Sequence, residues 1–194
     1  ARDSKRKGVR TMNGNELFIY NVLVNNAGFE VLNIDLIMER ITDRKTKKCA
    51  LSKKTILNTL KSLEEKGYIT INKGNTRQGI RDTYVLNKAK LNADNSFKIT
   101  YFINILVIKG EISTTELKVY TRMRYLHNEE VKAGRAKGNI FTITLDDLAK
   151  SLRDDKANVS RYVTKLYESM VLDRRAIQCQ DNPGQFYYEY KLNM

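Results

Sequence analysis

The feature that most constrains this chain is that its second half repeats the pattern of its first. Glu16-Leu17-Phe18-Ile19-Tyr20 aligns with Glu116-Leu117-Lys118-Val119-Tyr120 at an offset of 100, and Leu23 then falls on Met123. Asn13 and Ser113 precede these runs as N-caps for the helices they open. At an offset of 103, Ile56, Leu60, Leu63 and Ile69 fall on Val159, Val163, Leu166 and Leu172, with Ser52 on Asp155, both helix-capping types. Apolar residues meet apolar ones throughout. Two matches in one order at nearly one offset imply a duplicated unit, and 194 residues suffice for two units that each bury a core.

Within the first unit, Asn13 to Asn26 has helical spacing, with Leu17, Tyr20, Leu23 and Val24 on one face and Gly28 as its stop. A short second helix is expected from Asn33 to about Ile41, with Ile34, Ile37 and Ile41 inward, followed by a basic loop from Thr42 to Lys48. Ser52 caps a third helix carrying Ile56, Leu60 and Leu63, Leu51 can staple its start, and Gly67 ends it. Tyr68 to Ile71 and Asp82 to Leu86 alternate as strands around a turn from Lys73 to Gly79.

The second unit repeats this order. Thr144-Leu145-Asp146-Asp147 opens a helix with Leu145, Leu148, Ala149 and Leu152 inward, Arg153-Asp154 forms a tight turn, and Asp155 caps a helix whose buried stripe is expected at Val159, Val163, Leu166 and Met170. Arg174 to Gln180 and Gln185 to Leu192 are strand candidates joined by Asn182-Pro183-Gly184. Three helices plus a β-hairpin, twice over, define the expected fold class: α+β, mainly α, two winged helix-turn-helix units in tandem. The expected divisions are a basic arm (1–12), a first winged helix (13–88), a linker (89–96) and a second winged helix (97–194). Phe97 to Tyr101 alternates like a strand; Phe102 to Val107 is an apolar run of either helix or strand character. Something must cover that run: core packing, the seam between the units, or a second copy of the chain in a homodimer.

Charge narrows the function. With 35 Lys and Arg against 22 Asp and Glu, the net charge of +13 creates a field that attracts polyanions. No long apolar run, aromatic-anchored basic helix or lipidation motif points to a membrane. The start, Ala1 to Lys7, is basic without the apolar stretch of a signal peptide, so a cytoplasmic location is expected. Cys49 and Cys179 are far apart and lack the spacing of a zinc site or disulfide framework, so neither a metal nor another cofactor is expected.

In a helix-turn-helix the exposed start of the third helix enters the major groove. Those positions are Lys53, Lys54, Thr55, Asn58 and Thr59 in the first unit and Lys156, Asn158, Arg161, Tyr162 and Lys165 in the second. Lys73, Arg77 and Arg81 surround the first wing and Arg174 and Arg175 begin the second, where phosphate or minor-groove contact is the usual use. The arm, with Arg2, Lys5, Arg6, Lys7 and Arg10, and the loop with Arg44, Lys45, Lys47 and Lys48 are expected to be flexible and to add phosphate contacts.

The stretches Leu145 to Lys150 and Asn158 to Leu166 resemble the winged-helix DNA-binding domains of bacterial plasmid and phage replication initiators and related transcriptional regulators. Ser113 to Asn128, with Leu117, Tyr120 and Leu126, is similar to the helix that precedes the motif in those proteins. The resemblance covers the second half well and the first half loosely. It implies sequence-specific binding of double-stranded DNA by a regulator of a mobile element, with a replication initiator or partition-site binder as the alternative and a protein-docking winged helix as the rival of another class. An enzyme is not expected: lone His127 has no evident partner, Asp146-Asp147 and Asp154-Asp155 read as helix caps, and Gly74 and Gly79 belong to a hairpin.

Overall fold

Asn13 opens the first helix with a reciprocal cap: its Oδ1 accepts the Glu16 N–H at 2.9 Å while its own N–H donates to Glu16 Oε2 at 2.7 Å. The computed structural model describes residues 12–26, 32–87, 101–136, 138–178 and 186–193. The arm from Arg2 to Arg10, Gly28, the 89–96 linker, Phe97 to Thr100, Cys179 and the Asn182-Pro183-Gly184 turn lie outside them. The fold is α+β and mainly helical, with the contacts gathered into two units, Ala1–Thr114 and Thr115–Met194.

In the first unit, helix α1 (Gly14–Asn26) departs from its expected single apolar face, because every residue from Glu16 to Leu23 is buried. After strand β1 (Leu32–Asn33) come α2 (Ile34–Arg40) and α3 (Lys53–Glu65), then β2 (Ile69–Asn72), β3 (Thr83–Leu86) and α4 (Tyr101–Lys109). Helices α2, α3 and α4 all pack on α1, and a helix covered from several sides keeps no polar stripe. The apolar run from Phe102 to Val107 is therefore helix, and Ile103, Leu106 and Val107 are buried in the first unit. This displaces the expected boundary at residue 97: the run completes the first core instead of opening the second domain. The Asn33 side chain caps α2 and the Ser52 hydroxyl caps α3. Ile56, Leu60 and Leu63 are sealed beneath α3, each burial contributing roughly 1.5–3 kcal/mol.

The second unit runs α5 (Thr114–Lys132, nearly all within it), β4 (Ile140–Thr142), α6 (Leu145–Leu152), α7 (Lys156–Glu168), β5 (Leu172–Gln178) and β6 (Phe186–Leu192). Its sheet has the antiparallel order β4-β6-β5, and the first unit's sheet has the matching order β1-β3-β2. The first hairpin lies within a residue of its expected place; the second starts at Leu172, two residues before the expected Arg174, and its turn lies outside the described residues, while β1 and β4 are additions: two and three residues long, they are too short to alternate visibly. Each pairs the segment ahead of the second helix with the returning strand, so each unit has the order helix, strand, helix, helix, strand, strand.

The likeness extends to single hydrogen bonds. The Tyr68 N–H donates to the Leu63 carbonyl and the Val171 N–H to the Leu166 carbonyl, both at 2.9 Å. Asn87 donates through Nδ2 to the Gly67 carbonyl at 3.2 Å, as Asn193 does to the Met170 carbonyl at 3.3 Å. Gly67 (φ 70°) and Met170 (φ 55°) hold the same left-handed position after α3 and α7, at the same offset of 103. This corrects the placement of Met170 in the buried stripe: the chain turns there, leaving Met170 77% exposed and burying Val171 instead. A left-handed L-residue costs roughly 1–2 kcal/mol, part of which glycine gives back through its freer unfolded chain. Met170→Gly is thus expected to stabilise the second unit by up to about 1 kcal/mol, read as a rise in melting temperature; a fall would show that the turn is not strained.

Candidate nucleic-acid interface

The outward face of α3 lies opposite its buried stripe and carries Lys53, Lys54, Leu57, Asn58 and Lys61, all exposed. Among the described residues no carboxylate pairs with Lys53, Lys54 or Lys61. Leu57 and Lys61 went unassigned in the sequence, although their spacing from Lys53, Lys54 and Asn58 puts them on this face. Thr59 must be removed from it. It stands three residues after Ile56 and four before Leu63, on the apolar stripe, and is only 6% exposed. Thr55 is half-buried, and its hydroxyl lies 2.8 Å from the Ser52 hydroxyl that caps the helix.

The loop between α2 and α3, expected to be flexible, is built around Asp43. Its carboxylate accepts the Lys45 and Thr46 N–H groups at 2.6 and 3.2 Å, and its backbone exchanges bonds with Lys47 and Lys48 at 2.9 Å. Those N–H donors hold the Asp43 carboxyl below its ordinary range. Arg44, Lys45, Lys47 and Lys48 stand exposed on this hydrogen-bonded turn.

The first wing is a tight hairpin. A Cβ on Gly74 would come within 2.3 Å of the Ile80 carbonyl oxygen, so this position admits only glycine as the backbone stands. Asp82 accepts the Gly74 N–H at 2.9 Å and Lys73 Nζ at 3.0 Å, and these two bonds hold its carboxyl below the usual range. Lys73 is in turn raised, first by its hydrogen bond to Asp82. Arg81 forms an ion pair with Asp35. Of the three cations expected on this wing, Arg77 is therefore the one without a carboxylate partner among the described residues; it sits on a single 3₁₀ turn, Thr76–Gln78, closed by Gly79 at φ 71°.

On α7 the cations are mostly engaged. Lys156 Nζ is 2.7 Å from Asp146 and Lys165 Nζ is 3.8 Å from Glu168. Arg161 donates to Asn158 Oδ1 at 2.9 Å, and Asn158 Nδ2 donates to Asp154 at 3.3 Å. Tyr162 is half-buried, 5.7 Å beneath the Arg161 guanidinium. Arg174 bonds the Thr164 hydroxyl at 3.2 Å and lies 4.9 and 5.6 Å over the rings of Tyr167 and Tyr188, which makes it a packing residue between α7 and the sheet. Arg175 is exposed. His127 is buried with its ring 5.4 Å from that of Phe141, in the second core.

Net charge is unevenly divided. Residues 1–114 hold 21 Lys and Arg against 11 Asp and Glu, and residues 115–194 hold 14 against 11, so the first unit carries ten of the thirteen net positive charges. Among the described residues no helix is long and apolar enough to cross a membrane, and no cluster of three or more His, Cys, Asp or Glu could hold a metal ion. No protein-family model matches the chain, and no curated protein matches it.

Proposed function

We propose that the chain is a sequence-specific duplex-DNA-binding protein of the tandem winged-helix kind, not an enzyme, acting as a regulator of a bacterial mobile element. The observation that carries the reading is the outward face of α3, where three lysines without ion-pair partners among the described residues flank Asn58 above an inner stripe of Ile56, Thr59, Leu60 and Leu63. Lysines so arranged attract phosphate, and an asparagine amide can pair with the N6 and N7 edge of adenine. The repeated helix, strand, helix, helix, hairpin order supports the winged-helix assignment, since it presents one exposed helix and one hairpin per unit.

The two units then do different work. The first, with most of the net charge and with Lys53, Lys54, Lys61 and Arg77 unpaired among the described residues, supplies phosphate contacts. The second contributes through Arg161, which Asn158 holds in position, while Lys156 and Lys165 must first share or release their carboxylates.

Fluorescence anisotropy with a labelled duplex tests this. Apparent affinity is expected to fall steeply with salt, as log K against log [salt] drops by about 0.9 for each phosphate neutralised. A slope near zero would overturn the DNA reading and favour a protein-docking module.

A further inference from the structure

Helices α3 and α7 share a register. Both begin one residue after a side-chain cap, Ser52 or Asp155, both seal three apolar residues at equivalent positions, and both end in a left-handed residue, Gly67 or Met170. In that register the outward faces differ: Asn58 stands where Arg161 stands, and Leu57 where Ser160 stands. We infer that the two helices read unlike sub-sites, the first an A·T pair through Asn58 and Leu57 and the second a guanine through Arg161, so that the target is not a repeat of one sequence. The inference rests on the DNA-binding reading above.

The chemistry of the three side chains separates the sub-sites. An asparagine amide donates and accepts together, as adenine N6 and N7 require, whereas a guanidinium offers two donors to guanine O6 and N7. Leu57 can do neither. It is 38% exposed among lysines, and the thymine 5-methyl is the apolar group that the major groove presents to such a side chain. Ser160 has no equivalent apolar reach. Arg161 is pre-set for its role, because the Asp154–Asn158–Arg161 hydrogen-bond chain and the Tyr162 ring restrict its rotamers, reducing the entropy lost on contact.

The test uses the full chain and a pool of random duplexes. In the enriched site each thymine is replaced singly by deoxyuridine, which lacks the methyl, and each guanine by 7-deazaguanine, which lacks N7. One uracil replacement is expected to weaken wild-type binding about fourfold, the worth of a buried methyl, and to leave Leu57→Ala unaffected. One deazaguanine replacement is expected to weaken the wild type roughly tenfold and to leave Arg161→Ala unaffected. The sensitivities should not cross: Leu57→Ala keeps the deazaguanine effect and Arg161→Ala keeps the uracil effect. Melting curves confirm that both variants fold, and Asn58→Ala, which should lose adenine preference beside the same thymine, gives an independent variant. Enrichment of two copies of one sequence overturns the inference, as does a Leu57→Ala protein that still senses the methyl. Salt-dependent binding without any enriched sequence overturns it while leaving the DNA-binding reading intact, and no duplex binding overturns both.

Discussion

Replacing Glu16 by alanine is expected to destabilise the first unit by about 2 kcal/mol, because it removes the charged acceptor of several hydrogen bonds, while the half-exposed Lys66 left behind can be hydrated. Glu16 is 1% exposed on α1, yet four bonds converge on its carboxylate. Lys66 Nζ lies 2.7 and 2.8 Å from its two oxygens, the Ser62 hydroxyl donates at 2.6 Å and the Asn13 N–H at 2.7 Å. These bonds join the start of α1 to the last turn of α3, so the charge aligns the two helices. Burial pushes the Glu16 carboxyl up, but the bonds from Lys66, Ser62 and Asn13 outweigh it and hold the group below its ordinary 4.5. The sign of the pH dependence follows. A carboxyl depressed in the folded state contributes its full stability above pH 4.5, and loses it progressively as pH falls through that value and then through the lower folded one. Denaturant unfolding of the wild type, Glu16→Ala and Glu16→Gln between pH 3 and 7 isolates this term, because the wild-type advantage over Glu16→Gln should shrink toward the acid end. An Glu16→Ala protein within about 1 kcal/mol of wild type would mean that the pair is not structural.

The triple substitution of Lys53, Lys54 and Lys61 by alanine is expected to reduce the magnitude of the salt slope for duplex binding by about 3, one unit for each lost phosphate contact. All three side chains are exposed and lack carboxylate partners among the described residues, so the fold should be nearly unaffected. The corresponding change on α7, Lys156, Arg161 and Lys165 to alanine, should reduce the slope by less. Lys156 and Lys165 face Asp146 and Glu168, which already neutralise part of their field. The second triple should instead erode preference among sequences, since it removes Arg161. Equal loss of slope from the two triples would contradict the division of labour between the units, and no loss from the first would remove α3 from the interface.

Apart from α4, the helices of both units could be placed from the sequence because their signals are local: capping residues Asn13, Asn33, Ser52, Thr144 and Asp155, and apolar spacing along α3 and α7. The same spacing already held the fate of Thr59, which completes the stripe with Ile56, Leu60 and Leu63; its residue type suggested the surface while its position decided for the core. Met170 failed for the opposite reason. Its spacing continues the stripe, but the helix ends at a left-handed turn, and the apolar contact passes to Val171.

What the sequence determined by itself, then, is the periodicity of each element, the repeat at two nearly equal offsets, the hairpins and the large positive charge, all of which are properties of neighbours along the chain. Tertiary structure alone decided that α1 is enclosed on several faces, that α4 completes the first unit, and that β1 and β4 add a third strand to each sheet. It also decided which cations stand unpaired among the described residues, because Asp35 meets Arg81 and Asp146 meets Lys156, partners that lie apart along the chain. A charge count registers every lysine and arginine alike; only folding brings particular carboxylates within Coulomb reach of some and leaves Lys53, Lys54 and Lys61 facing solvent.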